Sequence, residues 1–137
     1  MAVLILDSEA LSTLARPRSS PERHLRIRAA LRSAARRGHL VRVPSAILVE
    51  LYRGAGTDEA IDHELGRRHL RVITTGCRIA RIAGHQLASS GRGSETAIDA
   101  LVVATAIRLG GGMVVTHDPA DLQVLAAGNR NVRIVAV

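Results

Sequence analysis

Residues Ala2–Leu6 form an unbroken apolar run that stops at Asp7. A run of that length with no polar alternation reads as a β-strand covered on both faces. Such a strand needs a layer of other structure on each side, which commits the chain to a helix-clad parallel sheet. Four more short, mostly apolar segments read as strands, three of them interrupted by one Arg: Leu40–Val43, Leu70–Ile73, Met113–Thr116 and Val132–Val135. Longer helical segments fill the gaps, and the alternation predicts an α/β fold.

Local start and stop signals place the helices. Ser20-Pro21-Glu22 reads as cap, first-turn proline and acid, and Gly38 ends that helix. Its Arg28, Arg32 and Arg36 lie on one face at i, i+4 spacing, read as a solvated stripe or a docking surface ahead of a track for phosphates. Pro44 or Ser45 opens a helix predicted to run to about Gly54, Thr57 opens the next, and Thr75 opens one with Ile79, Ile82, Ala83 and Leu87 on its apolar stripe. Ser94-Glu95 leads into a helix over Thr96–Leu109, closed by Gly110-Gly111-Gly112, and Asp118-Pro119 opens the last one. The 137 residues suit a single domain, 1–137, with no internal repeat and no linker.

Composition narrows the chemistry. All nineteen basic residues are Arg, against twelve acids, for a net charge of +7. A Lys-free chain excludes P-loop, Schiff-base and receiver-domain mechanisms that use a lysine. Guanidinium matches phosphate in two-point contacts, so a phosphate-bearing partner is one reading of the charge; codon bias toward Arg is the other. Tyr52 is the only aromatic residue, so the core must be aliphatic and the stacking platforms usual in single-strand binders are missing. The lone Cys77 allows no internal disulfide and no thiolate zinc site. No apolar run is long enough to span a bilayer and the N-terminus lacks a signal-peptide pattern, so a cytoplasmic location is expected, with no membrane partner.

Four acids sit where an acid is awkward. Asp7 and Asp118 follow the predicted first and fourth strands, at the carboxyl edge where α/β sheets form ligand crevices. Each also reads as a helix cap, and a cap leaves one carboxylate oxygen free. Glu50 lies beside the apolar stripe of its helix. Asp99 interrupts Ala97–Ile107, which is apolar almost all round, with no Arg within a turn. Burying a carboxylate without a partner costs several kcal/mol. Gathered together, each close pair of these acids would cost about 4 kcal/mol at an effective dielectric near 20. Protons or cations would be needed, and all-oxygen donors favour Mg²⁺ or Mn²⁺ over zinc.

These segments resemble the PIN-domain ribonucleases, most closely the VapC-type toxins of bacterial toxin–antitoxin pairs. The resemblance is carried by Val3–Ser8, Val43–Leu51, Ala97–Ala106 and Val114–Leu122, in that order across the chain. It implies a three-layer α/β/α sandwich with a short parallel sheet ordered 3-2-1-4-5. It also implies Mg²⁺- or Mn²⁺-dependent endonucleolytic cleavage of RNA. On this likeness Asp7, Asp99 and Asp118 bind metal and Glu50 completes a catalytic acidic quartet, with Asp121 competing with Asp118 for the fourth position. Ser8 and Thr116 match supporting hydroxyls. The implied partners are an RNA substrate, a cognate VapB-type antitoxin and a second copy of the chain in a homodimer. The alternative is a catalytically silent PIN-like module that grips RNA or protein.

Overall fold

The structure, a computed structural model, describes residues 2–137. Among these residues, five strands build one all-parallel sheet: β1 (Val3–Leu6), β2 (Leu40–Pro44), β3 (Leu70–Ile73), β4 (Gly112–Thr116) and β5 (Val132–Ala136). Their spatial order is β3-β2-β1-β4-β5. The register sets Ile5 beside Arg42 on one flank and beside Val114 on the other. β1 is the central strand and is apolar throughout, with Leu4, Ile5 and Leu6 buried.

Seven helices among the described residues cover the sheet: α1 (Ser8–Ala15), α2 (Pro21–Arg36), α3 (Leu48–Leu51), α4 (Ala55–Leu65), α5 (Cys77–Ser90), α6 (Ala97–Arg108) and α7 (Ala120–Ala126). Contacts group α1 with α2 and α4, and α5 with α6 and α7. Right-handed crossovers in this strand order place those two groups on opposite faces, giving three layers. The sheet-facing side chains are aliphatic, among them Leu11, Leu14, Ile27, Ile61, Val102, Val103, Leu122 and Leu125. Among the described residues no helix is long and apolar enough to cross a membrane.

Several local expectations are corrected. The helix expected from Pro44 or Ser45 to Gly54 is a 3₁₀ turn, Ser45–Ile47, followed by one turn of α-helix that ends at Leu51, where Tyr52 turns extended. Thr57 is inside the first turn of α4 and not its start; the cap is Gly54, whose N–H donates to Asp58. Thr75 does not cap α5. Its hydroxyl accepts from Ala46 N and its own N–H donates to Ser45 Oγ, clamping the chain after β3 to the chain after β2. Ser20 precedes α2 without a side-chain cap bond, so Pro21 alone sets that start. Gly112 belongs to β4, and Gly111 has φ +112° with Asn131 O 2.6 Å from where a Cβ would stand.

Arg28 is not part of a solvated stripe. It lies 2.7 Å from Glu64 Oε1 and donates to Glu64 Oε2 at 2.9 Å, while Arg67 reaches the same carboxylate at 3.1 Å. Glu64 is 2% exposed, so this triad ties α2 to α4 inside the protein. Arg32 and Arg36 remain exposed.

Candidate functional site

The strand order reverses between β1 and β4, and the crevice of an open parallel sheet forms at the carboxyl ends of the strands at that point. Asp7 leaves the end of β1 and Asp118 follows the end of β4. Asp7 is buried and caps α1, its Oδ1 accepting from Ala10 N at 2.8 Å. The cap reading and the crevice reading are both satisfied, because Oδ2 is not used by that bond. Burial pushes the Asp7 carboxyl above its ordinary value and the nearby charge of Glu9 adds to this; the Thr116 hydroxyl, the Ala10 N–H and His117 pull the other way.

Asp99 occupies the first turn of α6 and is half-buried. Its carboxyl is pushed up to about 6. Burial is the largest cause, followed by the charges of Asp7, Asp121, Glu50 and Asp118. Four acids from four other parts of the chain thus act on one carboxyl group. Glu50 and Asp118 are exposed at the rim of the crevice, and Asp121 is half-exposed in the first turn of α7. Ser8 is half-buried at the start of α1.

Thr116 is buried and holds the turn that presents Asp118. Its Oγ1 accepts from Asp118 N at 3.2 Å and donates to Asp118 O at 3.3 Å. The expected Asp118 cap is corrected: Pro119 takes the cap position of α7 with no side-chain cap bond, and Asp118 Oδ1 accepts only a long bond, 3.4 Å, from Ala120 N. His117 is committed elsewhere: its Nδ1 donates to Val137 O at 3.1 Å, which leaves Nε2 to accept from the Thr13 hydroxyl at 2.8 Å. Both ring nitrogens are used to pin the site turn to α1 and to the end of the chain.

The structure therefore brings Asp7, Glu50, Asp99, Asp118 and Asp121 to one edge. Of the two contenders for the fourth position, Asp121 acts on Asp99 more strongly than Asp118 does. It is also the one with a cationic partner, Arg92 Nη2 at 3.3 Å. Nothing in the sequence singles out Arg92, because its partner lies far along the chain and only the packing of α5 against α7 joins them. Glu64 also escapes a sequence reading, although its i+3 spacing from the core residue Ile61 marks it as facing inward.

The donor set is all carboxylate oxygen, which fits a hard divalent cation. Burial raises the Asp99 carboxyl most, and the charges of the neighbouring acids add a part that a cation would relieve. As placed, no three His, Cys, Asp or Glu side chains among the described residues converge closely enough to cage an ion. The acids share a crevice and a mutual repulsion, so the residues fit a divalent ion in charge and donor type.

An α/β domain with acids gathered at the switch point of a 3-2-1-4-5 sheet defines the class, and the PIN domain family model matches residues 4–127. The chain belongs to that family. No curated protein matches it by sequence. Among solved structures, it is similar to a chain of VapBC2 from Rickettsia felis bound to a promoter DNA fragment, with TM-score 0.71 and 15% identity over 98% of each chain. It is similar to a chain of DNA-bound VapBC from Salmonella typhimurium, with TM-score 0.67 and 19% identity over 99% of this chain and 98% of that one. A third, from the Mycobacterium tuberculosis VapBC-5 toxin–antitoxin system, gives TM-score 0.58 and 18% identity over 100% of both chains.

Proposed function

We propose that this protein is the toxin of a VapBC-type toxin–antitoxin pair, a Mg²⁺- or Mn²⁺-dependent endoribonuclease inhibited by a VapB-type antitoxin and acting as a homodimer. The single observation that carries the reading is the half-buried Asp99 at the carboxyl edge of the sheet, its carboxyl raised first by burial and then by the charges of Asp7, Asp121, Glu50 and Asp118. The PIN family match and the likeness to VapBC complexes support the activity class and the partner.

Asp7, Asp99 and Asp118 would hold the ion, with Glu50 completing the acidic set. When bound, the ion supplies activation of water and relief of charge on the departing oxygen of a phosphodiester. The chain's own residues do the rest. Asp7 is held in one rotamer by the Ala10 N–H. Thr116 and His117 fix the turn that carries Asp118. Arg92 keeps one of the surplus carboxylates, Asp121, paired at the crevice mouth. The net charge of +7 holds the polyanion against a site that would otherwise repel it.

The competing reading is a silent PIN module, and the absence of a finished ion cage among the described residues is the observation on its side. Incubating the purified protein with single-stranded RNA and Mg²⁺ or Mn²⁺ separates the two. The proposal expects divalent-dependent cleavage that Asp99→Asn abolishes, together with a Mn²⁺-induced rise in melting temperature. RNA that stays intact, with a melting temperature indifferent to either ion, would select the silent module.

A further inference from the structure

From Gly66 to Ser94 the chain carries no acidic residue and six arginines. α5 lies inside this stretch. Its apolar stripe of Ile79, Ile82, Ala83 and Leu87 packs inward. At 100° per residue, Arg78, Arg81 and His85 fall on the opposite face, and all three are exposed. The far end of this face meets the end of α6, where Arg78, Arg81 and Arg108 line one cavity of about 460 Å³ with Cys77 and Ile82. A neighbouring cavity of about 420 Å³ shares Cys77, Arg78 and Arg108. None of these three guanidiniums has an acidic partner among the described residues.

The near end of the same helix delivers Arg92 to Asp121, at the mouth of the acid crevice. The two ends are separated by the 14 residues of α5, about 21 Å at the α-helical rise. That is the reach of a short single-stranded stretch and exceeds one nucleotide. Unpaired arginines around a concave surface are a poor way to solvate a helix and a good way to grip phosphate, since each guanidinium offers two parallel donors.

We propose that Arg78, Arg81 and Arg108 form a phosphate-binding subsite for RNA backbone remote from the acid crevice, reached by a strand that runs along the exposed face of α5. The inference rests on the ribonuclease reading and adds where the flanking strand lies. It makes length a determinant of affinity: RNA long enough to reach the triad gains contacts that a short oligonucleotide cannot make. Because the contacts are to backbone, they carry no base preference.

The test compares the wild type with an Arg78→Ala/Arg81→Ala/Arg108→Ala variant, each checked for an unchanged circular dichroism spectrum. The probes are fluorescein-labelled oligouridines, one short and one long, read by fluorescence anisotropy over a salt series without added divalent ion. The wild type is expected to hold the long probe more tightly than the short one, and the variant to hold both alike. For the long probe the slope of log K against log salt should fall by about 0.7 per lost contact, roughly 2 for the triple variant. A variant that keeps the length advantage and the salt slope, while the wild type cleaves RNA, overturns the subsite and leaves the ribonuclease reading standing. If the variant keeps its RNA binding and instead loses a co-expressed antitoxin, the face belongs to a protein partner and the RNA assignment is overturned. A wild type that neither binds nor cleaves RNA removes both readings together.

Discussion

Arg92 Nη2 stands 3.3 Å from Asp121 Oδ1, which pairs this crevice acid with a cation already supplied by the chain. Asp118, by contrast, is exposed on a turn that Thr116 holds from behind. The pairing therefore separates two acids that the sequence leaves in competition. Asp118→Asn is expected to lower cleavage by about 100-fold, roughly 3 kcal/mol of barrier, and Asp121→Asn by about 10-fold or less. Steady-state cleavage of a labelled RNA by the two variants decides it, and the reverse order would give the fourth position to Asp121.

Burial of Asp99 and Asp7, with the charges of nearby acids, makes stability depend on pH in a defined direction. The Asp99 carboxyl moves from an ordinary 3.8 to about 6 in the fold. A raised carboxyl means that ionisation is disfavoured by folding, so the penalty grows as pH rises from about 4 and is complete above about 6. Asp7 is raised in the same direction. Without divalent ions, these two groups make the protein more stable at about pH 5 than at about pH 7. With Mn²⁺ the dependence should flatten or invert, because ion binding needs the deprotonated form. Melting temperatures across this window, in EDTA and in Mn²⁺, test the sign. Asp99→Asn should remove most of the dependence seen in EDTA.

Cleavage should show the matching profile. Protonating Asp99 removes a ligand from the proposed ion site, so activity is expected to fall as pH drops through about 6. A cleavage rate that stays flat from about pH 5 to about pH 8 at sub-saturating Mn²⁺, where ion and proton compete for the carboxylate, would argue that Asp99 does not hold the ion.

The Glu64 triad predicts a stability effect with no catalytic one. Glu64 is 2% exposed and Arg28 approaches it at 2.7 Å. Arg28→Ala leaves a buried carboxylate with Arg67 alone and is expected to destabilise by about 3 kcal/mol. Replacing both partners, Arg28→Leu with Glu64→Leu, should recover most of that loss because no unpaired charge remains. Urea unfolding midpoints of the single and double variants check the pair, and a double variant as unstable as the single would contradict it.

Gly111 offers a backbone test. At φ +112°, with Asn131 O 2.6 Å from an added Cβ, an alanine there must distort either its own backbone or the entry to β5. Gly111→Ala is expected to destabilise by about 1–3 kcal/mol, read from the same urea unfolding. An alanine at Gly76, whose surroundings are open, serves as the mild comparison.

β1 is legible in the sequence because it is a short apolar run with no alternation, a pattern that follows from burial on both faces; β2, β3 and β5 each carry one Arg and are legible as short apolar-rich segments between helical stretches. β3 spans the expected residues Leu70–Ile73, and the others differ at their ends by one residue. Asp7 is legible as a cap for a similar reason, since it sits next to the helix it caps, whereas Asp118 yields the cap position of α7 to Pro119. The short helix after β2 is not, because Ser45 and Thr75 bond to each other across two strand ends and end the regular pattern by a contact the chain does not announce. Glu64 and Arg92 are hidden in the same way: each is defined by a charged partner that only folding brings near, Arg28 for Glu64 and Asp121 for Arg92.

The parallel α/β architecture, the acids at strand and helix ends and the Arg-only charge are thus written in neighbouring residues and can be read along the chain. Three further features arise only on packing. Asp99 feels four other acids at once, Asp121 has an arginine partner while Asp118 has none among the described residues, and Arg28 is half-buried against Glu64 while Arg78, Arg81 and Arg108 gather around one cavity. Charge interactions fall with distance in space and not along the chain, so their strength exists only after folding has set those distances.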